Sequence, residues 1–270
     1  MKLSSVGENI GRVFILLYIL LPIFWITITA FKRESAVYTL QVFFQPTLQN
    51  FVDIFSDPLN FGPLLRNSLI ISLGTIIIAI PLAVMASYVF SRYRFRGSPL
   101  LLVWVLATQF VPPVVVAIPF FTFFRNINLI DTPWALIIVN LSLVLPYAIW
   151  LIKGFVDAQP IEIEEAATVD GCNIFQILRY VTFPLILPGV IVAAAFSFIL
   201  AWNEFLFALV MTNSDSAETL QVGLLATQSS RGVVWEWMSA TGLLIMVPIF
   251  ILSIFIRRHF VSGITMGAVK

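Results

Sequence analysis

The chain has 270 residues, of which 60% are hydrophobic and 11% are charged, and its mean hydropathy is +0.99. This composition is far more apolar than that of soluble domains, so it predicts a protein of the lipid bilayer. The net charge of +1 gives no reason to expect nucleic acid as a partner, and a single cysteine, Cys172, with a single histidine, His259, excludes an intramolecular disulfide and leaves no cluster resembling a zinc or iron–sulfur site.

Apolar runs long enough to cross a bilayer as helices, which takes roughly 20 residues, recur along the chain. In order, they predict six spans at residues 11–31, 66–90, 99–124, 133–156, 186–211 and 238–256. The first run contains Pro22 and is followed by further spans, so we interpret it as a retained helix rather than a cleaved signal. The sequence therefore predicts an all-α membrane protein, with residues 1–270 forming one transmembrane domain.

Basic residues are divided unevenly between the two sides of this six-span arrangement. Ten of the fifteen fall at the termini, after the second span or between the fourth and fifth spans: Lys2, Arg12, Arg92, Arg94, Arg96, Lys153, Arg179, Arg257, Arg258 and Lys270. Because Lys and Arg are enriched on the cytoplasmic side, we expect both termini in the cytoplasm. Residues 157–185 then form a large cytoplasmic segment, and residues 32–65 and 212–237 form two large outer segments.

The cytoplasmic segment is too polar to lie in lipid, yet it has the signals of ordered structure. Pro160 suits a first helical residue, and Glu162, Glu164 and Glu165 complement the positive end of a helix dipole. Gly171 suits a helix stop, and an apolar surface resumes after it. We therefore expect a short helix, a turn and a second short helix against the cytoplasmic face of the bundle.

Prolines and small residues recur within the spans. The interior prolines, Pro112 and Pro113 among them, predict either kinks that improve packing or bends around a gated path. Small residues recur four apart in the second span (Ala79, Ala83, Ser87) and in the fifth (Ala193, Ser197, Ala201). Such stripes allow helices to approach closely, and packing alone suffices to explain them.

Residues that could carry chemistry are few. The chain has no phosphate-binding loop of the Gly-x-x-x-x-Gly-Lys-Ser/Thr type, so we do not expect it to bind ATP itself. Glu204 is the one acid well inside an apolar run. It is interpreted either as part of a polar translocation path, with Asn203 beside it and Trp202 offering a flat apolar face, or as a cap or brace for a neighbouring helix.

Residues 165–184 resemble the signature cytoplasmic loop of the membrane subunits of ABC importers. The family pattern is Glu-Ala-Ala, three residues, Gly, nine residues, Ile, any residue, Leu-Pro. The chain has Glu165-Ala166-Ala167, Gly171 and Pro184 at the same spacing, with Val181 and Phe183 in place of the usual Ile and Leu. The resemblance implies a coupling helix seated in a cleft of a separate ATPase subunit. The residues implied at this contact are Glu162, Glu165, Ala166, Ala167, Asp170, Gly171 and Pro184.

Two further stretches resemble the carbohydrate-importer permeases related to the smaller maltose-transporter membrane subunit: residues 202–205 and the ending, residues 263–270. The resemblance implies the architecture of a type I importer permease, with the coupling helix between spans four and five, in a bacterial or archaeal inner membrane. It implies alternating access driven by two separate ATPase subunits that bind ATP and Mg, with no cofactor on this chain. It also implies a second homologous permease chain in a heterodimer and an extracytoplasmic solute-binding protein.

The same resemblance assigns roles to the tail and to one outer loop. Within the tail, Gly263, Thr265, Gly267 and Lys270 are candidates for a second ATPase contact. The outer loop, residues 212–237, probes the sugar-binding protein in that family. We interpret its Trp235, Glu236 and Trp237 as an aromatic interface anchor in preference to a direct substrate contact.

Two other classes of protein were weighed against this interpretation. A self-sufficient secondary transporter or channel would need a denser set of buried charges than Glu204 supplies. A membrane enzyme would need a cluster of catalytic residues within the spans, and a structural assembly factor would carry no solute. The sequence does not choose among oligosaccharides, disaccharides, polyols and sugar-like phosphodiesters as the solute.

Overall fold

The computed structural model describes residues 2–56, 58–229 and 232–268, with side chains described for residues 8–56, 58–228 and 232–257. Helices account for most of this part of the chain. The long helices are α1 (Lys2–Ala30), α4 (Gly62–Arg92), α5 (Ser98–Ala107), α6 (Pro113–Asn126), α7 (Pro133–Asp157), α10 (Phe183–Trp202) and α13 (Trp235–Ala268).

Shorter elements fill the connections. They are α2 (Glu34–Val37), α3 (Gln49–Ile54), α8 (Glu162–Val169), α9 (Ile174–Gln176), α11 (Leu206–Met211) and α12 (Leu220–Gly223), with 3₁₀ turns at Thr108–Phe110 and Leu224–Thr227 and a π-helical turn at Ile177–Thr182. Two short strands, β1 (Gln228–Ser229) and β2 (Gly232–Val233), pair antiparallel.

Five described helices are long and apolar enough to cross a membrane, and six spans result if one bent pair is counted as a span. That pair is the expected third span, residues 99–124, which is divided into Ser98–Phe110 and Pro113–Asn126 with a bend of 95°. Pro112 and Pro113 explain the break, because proline lacks an N–H donor and pushes the residue before it into an extended conformation. Val111 has that conformation (ψ 118°).

The chain divides into two compact units: residues 1–63 with 220–248, and residues 64–219 with 249–270. The single domain expected from the sequence stays a prediction. In the first unit, the outer loop after α1 is fixed by two buried polar side chains. Lys32 is fully buried, donates to the Thr39 carbonyl oxygen (3.0 Å) and lies 4.8 Å from the Trp25 ring centroid. Asn50 donates from Nδ2 to the carbonyl oxygens of Ala30 (2.8 Å) and Lys32 (2.7 Å).

The second unit is built on close packing of α4, α7 and α10. The small-residue stripes expected to allow helix contact are buried, and all six side chains are at most 6% exposed. Ser87 adds a hydrogen bond to the Ile149 carbonyl oxygen (2.8 Å). Gly189 faces Phe155 so closely that an added Cβ would overlap the ring. The packing interpretation of these stripes is confirmed.

In the same unit, Asp131 fixes the outer loop that follows α11. Its carboxylate accepts hydrogen bonds from the Ser214 hydroxyl (2.6 Å) and from the backbone N–H groups of Asn213 (3.1 Å) and Ser214 (3.2 Å). Partial burial opposes the charged form, but these hydrogen bonds outweigh it and hold the pKa of Asp131 below its usual value.

We expect Gly189→Ala to lower the thermal unfolding temperature of the purified protein, because the new methyl group must displace the Phe155 ring. Overpacking of this kind typically costs about 1–3 kcal/mol. Gly154→Ala is the matched control, since Gly154 lies in α7 with nothing within 4 Å of an added Cβ. It should leave the temperature unchanged or raise it. Equal effects of the two substitutions would contradict the packing described.

Asp131→Asn should destabilise the protein at pH 7 but not in acid. A depressed pKa in the folded state contributes stability above the pKa of the unfolded state, about 3.9 for Asp, and this stability is lost as the pH falls through the folded-state pKa. The difference in unfolding temperature between wild type and Asp131→Asn should therefore shrink as the pH falls below about 4. Asp215→Asn removes an exposed charge from the same loop as a control. A difference that does not change with pH would contradict this assignment.

Candidate functional site: the segment between α7 and α10

The helix α8 ends where its sequence signals predict, but it begins at Glu162, so Pro160, expected as a first helical residue, lies before it. Three acids occupy its first turn, and Gly171, just beyond its end, has a φ of +85°. The Gly171 N–H donates to the Thr168 carbonyl oxygen and the Cys172 N–H to the Ala167 carbonyl oxygen, both at 3.0 Å. This pair of bonds forms a Schellman C-cap, which favours glycine at the left-handed position. The expected helix stop at Gly171 is confirmed.

The second short helix expected after the turn is not separate from the next span. Asn173 and Gln176 form a reciprocal capping box, with backbone-to-side-chain distances of 2.7 and 3.0 Å. The helix that starts there passes through the π-helical turn Ile177–Thr182 directly into α10. Pro184 lies in the first turn of α10, where its missing N–H removes one helical hydrogen bond and favours a local change of pitch.

Glu164 anchors α8 to the bundle. Its side chain is buried, and three side chains donate to the carboxylate: Tyr88 to Oε2 (3.0 Å), Arg92 Nε to Oε1 (3.0 Å) and Thr182 to Oε1 (3.1 Å). A second guanidinium nitrogen of Arg92 lies 3.0 Å from Oε1, which completes an ion pair. Since Tyr88 and Arg92 belong to α4 and Thr182 directly precedes α10, one carboxylate connects three elements.

The start of the segment is fixed by the same end of α4. Arg92 also donates to the Gln159 carbonyl oxygen (3.1 Å). Its neighbour Ser91 donates to Asp157 Oδ1 (2.6 Å), and Lys153 pairs with Asp157 Oδ2 (2.6 Å). The first turn of α8 and the residues before it are therefore tied to the transmembrane helices through charged or polar side chains.

The opposite face of α8 is open. Of the residues predicted at the coupling contact, Ala167 is buried with Glu164, whereas Glu162, Glu165, Ala166, Asp170, Gly171 and Pro184 are exposed. Large apolar side chains extend the exposed surface: Val169 is 87% exposed, Phe175 75% and Tyr180 69%. We call the exposed part of residues 162–180 the outward face. Its charged and apolar side chains are suited to contact with a protein partner.

The sequence placed Glu164 in α8 but did not predict that it anchors the helix to the bundle. One available signal was spacing, because Glu164 and Ala167 are three residues apart and so lie on one side of a helix. The identity of the donors was not accessible, since Tyr88 and Arg92 precede Glu164 by 76 and 72 positions.

The residues predicted for a translocation path lie at the end of α10. Trp202 is 1% exposed and stacks on Phe198, with ring centroids 5.5 Å apart. Asn203 is exposed and donates to the Ile199 carbonyl oxygen (2.8 Å). Glu204 accepts from the backbone N–H groups of Phe207 (2.7 Å) and Ala208 (3.0 Å), so it caps α11. The capping interpretation accounts for these bonds, and the path stays a prediction.

The predicted tail contact is described only in part. Gly263, Thr265 and Gly267 belong to the helical backbone of α13, and their side-chain environments lie outside the described residues. Lys270 lies outside the described residues altogether.

Residues 76–266 match the model of a family described as "Binding-protein-dependent transport system inner membrane component". The chain is 34% identical to the inner membrane ABC transporter permease protein YcjP of Escherichia coli over 99% of this chain and 97% of that protein. It is 31% identical to the diacetylchitobiose uptake system permease protein DasC of Streptomyces coelicolor, over the full length of both. A solved structure of a bacterial ABC transporter involved in the import of the acidic polysaccharide alginate is similar in fold, with a TM-score of 0.80 at 21% identity, covering 96% of this chain and 97% of that one.

We expect Glu164→Gln to loosen α8 from the bundle, because it removes the charge that Arg92 neutralises. Removing one partner of a buried ion pair typically costs about 3–5 kcal/mol. Hydrogen–deuterium exchange of the backbone amides of residues 159–170 should become faster, while α13 is unaffected. Glu165→Gln is the control, since it changes the adjacent, exposed carboxylate. Identical exchange in the two variants would exclude an anchoring role for Glu164.

Proposed function

This chain belongs to the binding-protein-dependent transport system inner membrane component family and is the membrane-embedded permease of an ABC importer for sugars, and we propose that α8 couples it to a separate ATPase. The observation that carries the proposal is the division of α8 into two faces. Glu164 fixes the inner face to α4 and α10, and the outward face has a surface suited to a partner.

A coupling element must resist being pulled away from the helices that it moves. The ion pair and hydrogen bonds of Glu164 supply this resistance, because they are charge-assisted and shielded from water. A displacement of α8 by a moving ATPase would therefore reach α4 through Arg92 and Tyr88, and α10 through Thr182. In this proposal, alternating access follows from the movement of these helices as connected units.

The outward face provides the contact with the ATPase. Exposed Ala166 permits close approach of a partner, and exposed Glu165 can pair with a basic or polar group. The left-handed turn at Gly171 directs the chain away after α8. Glu162 and Asp170 are exposed beside it and Ala167 is buried under it, while Pro184 is assigned to the contact by the family resemblance.

The proposal also covers the other subunits of the importer and the orientation of this chain in the membrane. Two ATPase subunits bind ATP and Mg and supply the energy, so this chain carries no ATPase site and no cofactor of its own. It pairs with a second homologous permease chain and receives solute from an extracytoplasmic binding protein. Both termini and α8 face the cytoplasm, in line with the distribution of lysine and arginine.

Two assignments follow the family resemblance. Asn203 and Glu204 border the translocation path near Trp202, where the break between α10 and α11 leaves polar groups at the end of a span. Residues 263–270 add a second contact with the ATPase.

Glu165→Ala should weaken copurification of the ATPase by about tenfold, the equivalent of losing a contact of ~1.4 kcal/mol. Gly171→Ala should weaken it too, because alanine at a φ of +85° is strained by about 1–2 kcal/mol and shifts the turn that ends α8. The measurement is the amount of ATPase retained on the affinity-purified permease.

Gly97→Ala is the matched control for Gly171→Ala. Gly97 has a φ of +89°, is exposed and has nothing within 4 Å of an added Cβ, but it lies between α4 and α5. It should reduce stability to a similar degree and leave ATPase binding intact. Normal ATPase binding and transport in both Glu165→Ala and Gly171→Ala would disprove the coupling assignment.

A further inference from the structure

A polar cavity of about 390 Å³ lies in the first compact unit. We call it the outer pocket. Its walls are formed by the loop after α1, by α3 and by the start of α13, and they include Arg33, Glu34, Gln49, Asp53, Glu236 and Trp237. The volume falls within the roughly 300–1,000 Å³ of small-molecule sites in proteins.

The floor of the outer pocket is preformed. Asn50 is 5% exposed and uses its side-chain amide to hold the end of α1, through the carbonyl oxygens of Ala30 and Lys32. Thr47 accepts a hydrogen bond from the Gln49 N–H (3.1 Å), which fixes the entry into α3. Binding to such a site requires little ordering of the protein, so affinity is not spent on closing a loop.

Glu236 gives the outer pocket an unusual electrostatic character. It is 6% exposed, and its carboxylate accepts a hydrogen bond from its own backbone N–H. Glu34 acts on it with a second negative charge. Among the residues whose side chains are described, no Lys or Arg forms an ion pair with Glu34, Asp53 or Glu236. A carboxylate held away from water is stabilised by hydrogen-bond donors, and a ligand in the outer pocket can supply them.

The other side of the outer pocket supplies donors and a flat aromatic surface. Gln49 donates from Nε2 to Asp53 Oδ1 (2.7 Å). The Trp237 indole N–H is 3.4 Å from Asp53 Oδ2, which is longer than a strong hydrogen bond and leaves the indole able to turn to a better acceptor. No group of three acidic, His or Cys side chains with the arrangement of a metal site is found among the described residues.

This combination selects a ligand rich in hydroxyl groups. A hydroxyl donates one hydrogen bond and accepts others, so it can satisfy a carboxylate and an amide or indole N–H at the same time. The apolar face of a sugar ring packs against the face of a tryptophan. Trp235, by contrast, is 47% exposed and does not line the outer pocket, so the interface-anchor interpretation suits it and not Trp237.

We propose that the outer pocket is a carbohydrate subsite in which Glu236 and Asp53 accept hydrogen bonds from sugar hydroxyls and Trp237 stacks on the sugar ring. This subsite rests on the proposed function in one respect. The orientation proposed there, with both termini and α8 in the cytoplasm, puts the outer pocket on the extracytoplasmic side. There it would hold part of a saccharide next to the entrance of the permease.

The test uses the complex of this chain with its second permease and its ATPases in lipid nanodiscs, without the binding protein. Saturation-transfer-difference NMR reports direct contact with two probes, maltose and N,N′-diacetylchitobiose, each added alone. The variants are Trp237→Phe, Glu236→Gln and the exposed-rim variant Gln49→Ala, with Trp235→Phe as the matched control. Retention of the ATPase subunits is measured on the same preparations.

We expect saturation transfer from wild type and Trp235→Phe to the ring protons of at least one probe. It should fall at least fivefold in Trp237→Phe and Glu236→Gln and less in Gln49→Ala, while each complex retains its ATPase subunits. If Trp237→Phe or Glu236→Gln does not assemble, the fall in saturation transfer in Gln49→Ala alone tests the subsite, because the Gln49 side chain is exposed. Absence of transfer from wild type, or equal transfer from every assembled variant, overturns the subsite and leaves the coupling proposal standing. Failure of the ATPases to copurify with wild type would contradict the coupling proposal instead.

Discussion

A carboxylate withdrawn from water is stabilised by a cation and hydrogen-bond donors, and Glu164 has both from side chains of separate elements. Because Tyr88, Arg92 and Thr182 converge on it, the position of α8 is fixed relative to α4 and to the start of α10. The close contacts of α4, α7 and α10 then extend this fixed unit into the membrane-spanning part of the chain. Their small residues allow the helices to approach closely.

The same anchoring explains why α8 can be short and still act as a coupling element. An eight-residue helix is marginal in isolation, since helix nucleation is costly. Here the Schellman cap at Gly171 closes its end, and the ion pair with Arg92 holds its middle. The outward face is therefore presented as a rigid surface. Buried polar side chains also fix the loop around the outer pocket. Asn50 and Lys32 donate hydrogen bonds to backbone carbonyl groups there.

Local signals in the sequence predicted the parts of the fold that depend on neighbours along the chain. Hydropathy located the spans, although the fifth, expected at residues 186–211, runs from Ile174 to Trp202 and ends at the break before α11. Gly171 with the acids before it located α8. Contacts between distant positions were not accessible: nothing near Glu164 reveals that Arg92 faces it, and nothing near Trp237 reveals Asp53. The 95° bend after Phe110 was predictable only in part. Pro112 and Pro113 indicated a break in the helix, but the effect of such prolines depends on tertiary context. The prediction of a separate second helix after Gly171 was wrong, because the chain continues through a π-helical turn into α10.

In the proposed importer, the Arg92–Glu164 pair transmits ATPase movement to the permease. The most direct test is a double-mutant cycle on the number of sugar molecules imported per ATP hydrolysed in proteoliposomes that hold the full transporter. Arg92→Gln and Glu164→Gln should each lower this ratio, and the double variant should be no worse than the more impaired single variant, because both remove one interaction. Strictly additive losses, or an unchanged ratio in the single variants, would contradict the claim.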